Sequence, residues 1–399
     1  MSSLTKGIFI VAAKRTPLGA FGGKFVNHTC VDLQEAAAKG ALRAGGVRPE
    51  LIDSVVIGNV LQCSSADAPY VSRHVLLRCG IPNAVPALTV NRLCGSGFQS
   101  IVNGAHDILM GDSKIVLTGG TDNMSQAPFA VRDMRFGTKL GTQYNLEDTL
   151  WAALTDRHIN LPMGVTAENL AEKYKITRQE VDQFAYESQM KWKAANESGH
   201  FRDEITPVEI KARKGSQWVD TDEHPKPTTT LEGLAKLPTV FKKNGTVTPG
   251  SASGVSDGAG AVILASEAAV KEHNLKPLAR LVGYGIAGCD PTIMGIGPVP
   301  AIHKMLKATG IKLSDVENIE INEAFGPQTM ACQRELKFDP SLLNKCGGAI
   351  ALGHPLGASG SRITAHLVHA MLRDGNKYGI GSACIGGGQG IAILLERVA

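Results

Sequence analysis

The chain has 399 residues, of which 43% are hydrophobic and 20% charged, and its formal net charge is +4. This composition is ordinary for a water-soluble globular protein, and the length predicts at least two domains. The basic residues form no patch interleaved with aromatic residues, which argues against nucleic acid as a partner. No apolar run reaches the ~18 residues that a membrane span requires.

The cysteines are numerous but not arranged as a framework. None of the eight forms a C-x-x-C pair, and their spacings fit neither a zinc site nor a set of disulfides. The sequence therefore predicts a reducing compartment and no metal site. The cysteines are Cys30, Cys63, Cys79, Cys94, Cys289, Cys332, Cys346 and Cys384.

The N-terminal stretch has the composition of a mitochondrial address. The first acidic residue is Asp32, and Lys6, Lys14, Arg15 and Lys24 precede it. Residues 8–12 also form an apolar β-like run, so an address here would stay in the folded protein, uncleaved. We expect the mitochondrial matrix, with the cytoplasm as the alternative.

Strand and helix patterns alternate through the first part of the chain. Strand patterns occur at 8–12, 52–60, 87–91 and 114–118, and a helix pattern lies between each successive pair, at 31–45, 67–79 and 98–109. Such alternation predicts an α/β fold with a mostly parallel sheet covered by helices on both faces.

The later part of the chain repeats this plan. Residues 41–59 align with 305–323 at an offset of 264, and residues 91–117 align with 354–380 at an offset of 263. Two segments with nearly one offset predict a duplicated α/β unit. The interval is too long for one unit, which indicates an insertion. The predicted domains are a first half at 1–123 and 249–274, an inserted loop domain at 124–248, and a second half at 275–399.

Cys94 lies in a turn of small residues just before a predicted helix. The N–H groups and the dipole at a helix N-terminus favour an anion, so we expect a lowered thiol pKa and a nucleophilic cysteine. A cysteine packed in the core is the alternative that this motif alone leaves open.

The second half supplies partners for this cysteine. The copy of the Cys94 turn carries His354, the following glycine turn carries Cys384 and Gly386, and a strand ending near residue 321 delivers Asn322. A Cys–His pair activates a thiol, and a second thiol can carry a proton. Asn322 and the N–H groups of Gly386 and Gly387 could stabilise an oxyanion. Because duplication places these loops on one side of the sheet, we predict one active site.

Five ordered runs resemble those of the thiolase family, and the match extends over the whole chain. The resemblance implies a duplicated α/β/α core of two similar halves, with mixed, mostly parallel sheets and an inserted loop domain. The runs are NRLCGSGFQS, GSASGVSDGAGA, INEAFGPQ, GGAIALGHPLGASGSRI and GSACIGGGQG.

The resemblance also implies a role for each residue. Cys94 would be acylated, His354 would activate it and line an oxyanion hole in which Asn322 holds a water, and Cys384 would act as acid and base. The N–H groups of Cys94 and Gly386 would form a second oxyanion hole. Coenzyme A would contact Lys226, Thr229 and Ser253, and the acyl pocket would be lined by Met163, Met294 and Phe325.

The implied reaction is the last step of fatty-acid β-oxidation. A 3-ketoacyl-CoA would be cleaved by free CoA with release of acetyl-CoA, without a metal or a cofactor beyond the co-substrate. Homodimers or homotetramers are implied as well. Many short-chain members have histidine where this sequence has Pro162, a departure that favours the β-oxidation branch.

Three alternatives remain at this point. Biosynthetic condensation to acetoacetyl-CoA would use the same residues. A 3-ketoacyl synthase would resemble a Cys/His/His arrangement, against which Cys384 argues. A catalytically silent relative that binds CoA or lipid would be expected to lack Cys94, His354 or Cys384, and all three are present.

Overall fold

The computed structural model describes residues 7–212 and 215–398. Residues 1–6, at the start of the predicted mitochondrial address, lie outside the described residues. The first half contains strands β1 (Ile8–Arg15), β2 (Gly19–Ala20), β3 (Ser54–Asn59), β4 (Ala87–Val90) and β5 (Ile115–Asn123) and helices α1 (Cys30–Gly45), α2 (Val71–Arg78) and α3 (Ser96–Met110).

Short strands and helices follow in the region predicted as an insertion. Its strands are β6 (Phe129–Val131), β7 (Leu146–Asp148), β8 (Thr155–Asp156), β9 (Leu161–Pro162), β10 (Val208–Ala212) and β11 (Gly215–Val219). Its helices are α4 (Thr149–Ala153), α5 (Met163–Lys173), α6 (Arg178–Glu197) and α7 (Leu231–Ala235).

The remaining elements complete the first half and build the second. The strands are β12 (Ser256–Ser266), β13 (Ala279–Gly288), β14 (Asn318–Ile321), β15 (Tyr378–Ile385) and β16 (Gln389–Arg397). The helices are α8 (Glu267–Glu272), α9 (Pro298–Thr309), α10 (Gly326–Leu336), α11 (Ala349–Leu352) and α12 (Ser359–Asp374). Among the described residues, no helix is both long and apolar enough to cross a bilayer.

Local sequence explains where the long helices begin and end. Thr29 and Asp32 form a capping box at the start of α1, and Gly46 ends that helix in the left-handed conformation. Thr177 and Glu180 form the same box at the start of α6. The helix predicted at 67–79 is shorter than expected, because its first turn is a 3-10 turn at Ala68–Tyr70.

One large mixed sheet runs through the molecule, in the order β14-β15-β16-β13-β1-β12-β5-β3-β4, with β2 beside β12. The sheet is mixed, as the resemblance implies, but the expectation that most of its pairings are parallel is wrong. Among the described residues, six strand pairings within the sheet are antiparallel and three are parallel. The parallel pairs are those joined through helices, whereas a tight glycine turn joins β15 to β16 and forces them to run in opposite directions.

The strand order confirms the duplicated fold. The order β1-β12-β5-β3 in the first half recurs as β13-β16-β15-β14 in the second, and the two halves meet where β1 pairs with β13. Helices α3 and α12, which correspond to each other in the two halves, pack against each other and against the sheet.

The close approach of α3 and α12 depends on two glycines. A Cβ on Gly97 would lie 2.5 Å from the Ser361 nitrogen, and a Cβ on Gly360 would lie 2.1 Å from the Phe98 nitrogen. These glycines occupy corresponding positions of the two copies, so the helix N-termini touch backbone to backbone. This contact places the loops that precede the two helices side by side.

Candidate active site

Cys94 lies in a strained turn between β4 and α3. Leu93, the residue before it, has φ +46°, a conformation that is costly for a side chain branched like leucine. Asn91 Oδ1 accepts the Leu93 N–H at 2.9 Å, and Ser96 Oγ accepts the Arg92 N–H at 2.8 Å and donates to the Leu93 carbonyl at 2.7 Å. These bonds hold the turn, and therefore the thiol, in one position.

The thiol of Cys94 is protonated at rest. Burial raises its pKa to about 11, although the N–H groups of Gly386 and of Cys94 itself act in the opposite direction. The expected lowered pKa is therefore wrong, because the loss of hydration in an apolar pocket outweighs the helix terminus. Attack by this sulfur requires a base that removes its proton.

His354 has the properties of such a base. Its Nδ1 is 2.5 Å from Ser359 Oγ, which donates its own proton to the Pro355 carbonyl at 3.0 Å and so accepts from Nδ1–H. Nε2 is then left without a proton. Burial, followed by the charge of Arg362, lowers the His354 pKa to about 3. The imidazole is neutral and can accept the thiol proton.

Asn322 lies against the imidazole. It follows β14, its own N–H donates to the Ser382 carbonyl at 3.0 Å, and its Nδ2 is 3.4 Å from Nδ1 and 3.3 Å from Nε2 of His354. Asn322 is fully buried and His354 is 5% exposed. The Asn322 amide and the His354 imidazole therefore form one buried polar pair, and His354 lines the same pocket as Cys94.

Cys384 lies near its predicted loop but inside a strand, as the penultimate residue of β15. It is buried beside Met294 and Ala324, and burial followed by the nearby Cys94 raises its pKa well above the ordinary value. It is therefore a thiol with a proton to give. The turn after it holds Gly386, whose N–H bonds to the Cys94 sulfur.

An apolar pocket of about 750 Å3, including its open mouth, surrounds Cys94 and His354. The three residues predicted for the acyl pocket, Met163, Met294 and Phe325, all line it, as does Ser253. Sequence reasoning missed other apolar members of the wall, which no motif marks. They include Met124, Trp151, Leu154, Phe241 and Leu356.

Lys226 and Thr229 lie apart from this pocket. They line a second cavity beside the first, and Thr229 Oγ1 donates to the Lys226 carbonyl at 2.7 Å. Gly250 lines the second cavity and Ser253 the first, so the segment between them separates the two spaces. The structure therefore brings Ser253, but not Lys226 or Thr229, to the catalytic pocket.

Two polar residues that the sequence reasoning missed support the site. Ser359 holds His354, and the offset of 263 that relates it to Ser96 could have revealed it. Asp122, at the end of β5, accepts the Gly357 N–H at 2.6 Å and the Leu61 N–H at 2.9 Å, and so ties the His354 loop to the first half. Burial raises the Asp122 pKa to about 7. In the described part of the chain, no group of three or more His, Cys, Asp or Glu side chains could hold a metal ion.

Comparison with known families agrees with this geometry. Residues 8–268 match the model of the thiolase N-terminal domain, and residues 275–397 match that of the thiolase C-terminal domain. The chain belongs to the thiolase family. It is therefore an acyltransferase.

Individual thiolases resemble the chain over their full length. The 3-ketoacyl-CoA thiolase, mitochondrial, of Bos taurus is 62% identical over 397 residues, which cover 100% of both chains. The crystal structure of human mitochondrial 3-ketoacyl-CoA thiolase in complex with CoA has a TM-score of 0.97, 62% identity and 100% coverage of both chains. The acetyl-CoA acetyltransferase of Bacillus anthracis has a TM-score of 0.96, 42% identity and 100% coverage of both chains.

Proposed function

We propose that this thiolase cleaves 3-ketoacyl-CoA with free CoA, shortening the acyl chain and releasing acetyl-CoA. The observation that carries the proposal is the neutral Cys94–His354 pair at the base of an apolar pocket, with the Cys384 thiol beside it. Full-length identity of 62% to 3-ketoacyl-CoA thiolases supports the substrate class.

In the first step, His354 Nε2 takes the proton of Cys94 while the sulfur attacks the 3-keto carbon. The 3-keto oxygen becomes negatively charged and is stabilised by the N–H groups of Cys94 and Gly386, which lie against the Cys94 sulfur. Because both Cys94 and His354 are neutral at rest, attack and proton transfer occur together. A charged pair need not form in the apolar pocket before substrate binds.

In the second step, the bond between C2 and C3 breaks and its electron pair stays with C2 of the departing acetyl-CoA. The thiol of Cys384 gives its proton to that carbon and becomes a thiolate. Until C2 is protonated, the negative charge spreads from C2 onto the thioester oxygen of the departing acetyl-CoA, which Asn322 and His354 stabilise. The remaining acyl group is now a thioester of Cys94.

In the third step, free CoA accepts the acyl group. The Cys384 thiolate takes the proton of the CoA thiol, the CoA sulfur attacks the acyl carbon, and Cys94 leaves and regains its proton from His354. Cys94 regains its proton from His354, and Cys384 replaces the proton it gave to acetyl-CoA with the proton of the CoA thiol. The reaction steps therefore balance without a metal or a redox cofactor. Ping-pong kinetics follow from the covalent intermediate.

CoA would reach the sulfur past the segment that separates the two cavities. Ser253 lines the catalytic pocket, while the exposed ammonium of Lys226 and the hydroxyl of Thr229 lie at the second cavity. The Lys226 ammonium, in the cavity away from the thiol, would bind the phosphates of CoA. The hydroxyl groups of Ser253 and Thr229 would contact its pantetheine arm. A structure of human mitochondrial 3-ketoacyl-CoA thiolase holds CoA, which supports this assignment.

The pocket wall favours substrates longer than acetoacetyl-CoA. Pro162 lines the pocket where many short-chain thiolases have histidine, and Phe241 packs edge-on against Phe325 at 6.1 Å between ring centroids. Met163 and Met294 add flexible apolar surface, which adapts to acyl chains of different length.

The domain division and the assembly belong to the same proposal. Residues 124–248 form the inserted loop domain, flanked by the halves at 1–123 with 249–274 and at 275–399. We propose a homodimer or homotetramer. The edge strand β4 and the hairpin of β6 and β7 supply surfaces for it, since Phe136 and Leu140 are almost fully exposed.

The names of the relatives and the composition of the N-terminus support a mitochondrial compartment. The relatives are named mitochondrial thiolases, which supports the mitochondrial matrix. Because β1 begins at Ile8 and lies in the middle of the sheet, removal of this segment would destroy the fold. The address would therefore stay uncleaved, and the mass of the protein isolated from mitochondria tests this.

Thiolysis of 3-ketoacyl-CoA substrates with short, medium and long chains tests the function. Release of acetyl-CoA that is fastest with medium or long chains, and is absent in Cys94→Ala, is the expected result. Activity confined to acetoacetyl-CoA would instead assign biosynthetic condensation. Binding of CoA without release at any chain length would leave a CoA-binding relative and overturn the proposal.

A further inference from the structure

A buried arginine lies directly behind the two polar groups of the active site. Arg362 is in the first turns of α12 and is 2% exposed. Its Nη2 is 3.4 Å from Asn322 Oδ1, while Asn322 Nδ2 faces the His354 ring. Neither the reaction steps nor the sequence motifs assign a role to this guanidinium.

We propose that Arg362 is a positioning residue that fixes the amide of Asn322 with its NH2 group toward the His354 imidazole. An amide has one acceptor end and one donor end, and either could point into the pocket. Arginine has no acceptor, so it can only bond to the oxygen end. The donor end is thereby left facing the His354 ring. This inference rests on the thiolase reaction proposed above.

The arrangement of α12 supports this role. Ser359 and Arg362 are three residues apart, so they lie on one face of the helix. Ser359 holds the proton-bearing nitrogen of His354, and Arg362 holds the oxygen of Asn322. One helix face therefore orients both residues of the oxyanion hole.

The guanidinium also acts on His354 by its charge. After burial, the charge of Arg362 is the cause that lowers the His354 pKa. The other titratable groups packed around the His354 loop are Cys94 across the pocket, Asp122 at the Gly357 N–H and His224 at the Ala351 carbonyl. Two carboxylates behind Arg362, Glu320 and Glu323, balance its charge.

Two variants separate the bond from the charge. Arg362→Lys keeps the charge and loses the planar fork, so we expect kcat to fall about tenfold, with KM and the acid limb of the pH profile unchanged. Arg362→Met loses both, so we expect a larger fall in kcat, and an acid limb at higher pH because the His354 pKa rises. Arg373→Met, in the same helix but ion-paired to Asp374 at the surface, should retain wild-type kinetics.

A double-mutant cycle with Asn322→Ala shows whether the two residues act together. Asn322→Ala should lower kcat about 100-fold, and adding Arg362→Lys should then cost less than twofold. Fully additive losses, or wild-type kinetics in Arg362→Lys, would overturn the inference. Absence of thiolysis in the wild-type protein would instead overturn the proposed function, so the two failures are distinguishable. Circular dichroism of each variant checks that the chain is folded.

Discussion

The loops before α3 and α12 are two copies of one turn, and they have different roles: the first carries Cys94 and the second carries His354. Both end in a serine at the first residue of the helix, Ser96 in one copy and Ser359 in the other. Ser96 bonds to the backbone of its own loop, at the Arg92 N–H and the Leu93 carbonyl. Ser359 bonds to its own loop and also to the His354 ring.

The comparison shows how a duplicated turn provides both the nucleophile, Cys94, and its base, His354. The first copy uses its serine to hold a strained turn, so that a nucleophile stands clear of the backbone. The second copy uses the same serine to select the tautomer of a base. Contact between Gly97 and Gly360 brings the two copies together, and burial keeps the thiol and the imidazole neutral.

Removing the base should have the largest effect on the paired loops. We expect His354→Ala to lower kcat about 1000-fold, because the variant lacks the imidazole that lines the Cys94 pocket and takes the thiol proton. His106→Ala, on the surface end of α3, is the matched control and should keep wild-type kcat. Steady-state thiolysis measures both. A loss below tenfold in His354→Ala would show that another group serves as the base.

Separating the copies should cost stability. In Gly97→Ala or Gly360→Ala the new Cβ meets backbone nitrogen, which cannot move away without shifting a helix, so we expect the free energy of unfolding to fall by about 1–3 kcal/mol or more. Gly233→Ala, in the exposed helix α7, should be neutral or stabilising. Denaturant unfolding compares them. Equal stability of all three variants would contradict the backbone contact.

Replacing each serine by alanine should distinguish the roles of Ser96 and Ser359. Ser359→Ala should lower kcat about tenfold with unchanged KM, since His354 loses the bond that fixes its tautomer. Ser96→Ala should lower the free energy of unfolding by about 1–3 kcal/mol, because the Arg92 N–H loses its partner. Kinetics and thermal unfolding are measured on both. If Ser359→Ala changed stability alone, its effect on the base would be absent.

Acid should have the smallest effect. A neutral imidazole is the working form, and protonation would abolish activity only as pH falls through the His354 pKa of about 3. We therefore expect kcat/KM to stay level from pH about 7 to about 5, a range in which a histidine of ordinary pKa would lose more than about nine-tenths of its base form. A fall of that size above pH about 5 would place the pKa of the base near its ordinary value.

Local sequence patterns predict much of the fold. The offset of 263 between copies projects α3 onto α12 and β5 onto β15 almost residue by residue. The direction of the strands could not be predicted in this way. The alternation of strand and helix patterns does not reveal that β16 follows β15 through a tight turn and therefore runs antiparallel to it.

The site was predictable only where motifs mark it. Cys94, His354, Cys384 and Asn322 lie in or beside recognisable runs of sequence, and the structure brings them together. Their chemistry was less accessible: the Cys94 pKa depends on an apolar wall assembled from distant segments, including Met163 and Phe241. Arg362 lies within the run that contains His354, but the sequence could not reveal its role, since its contact with Asn322 spans forty residues of sequence.

The most direct test of the paired loops is to find the acyl group. The protein is mixed with a medium-chain 3-ketoacyl-CoA in the absence of free CoA, quenched with acid, digested and analysed by mass spectrometry. The account predicts one acyl group on the peptide that contains Cys94, formed slowly in His354→Ala and absent in Cys94→Ala. Acyl transfer to Cys384 or to another residue, or normal turnover of Cys94→Ala, would contradict it.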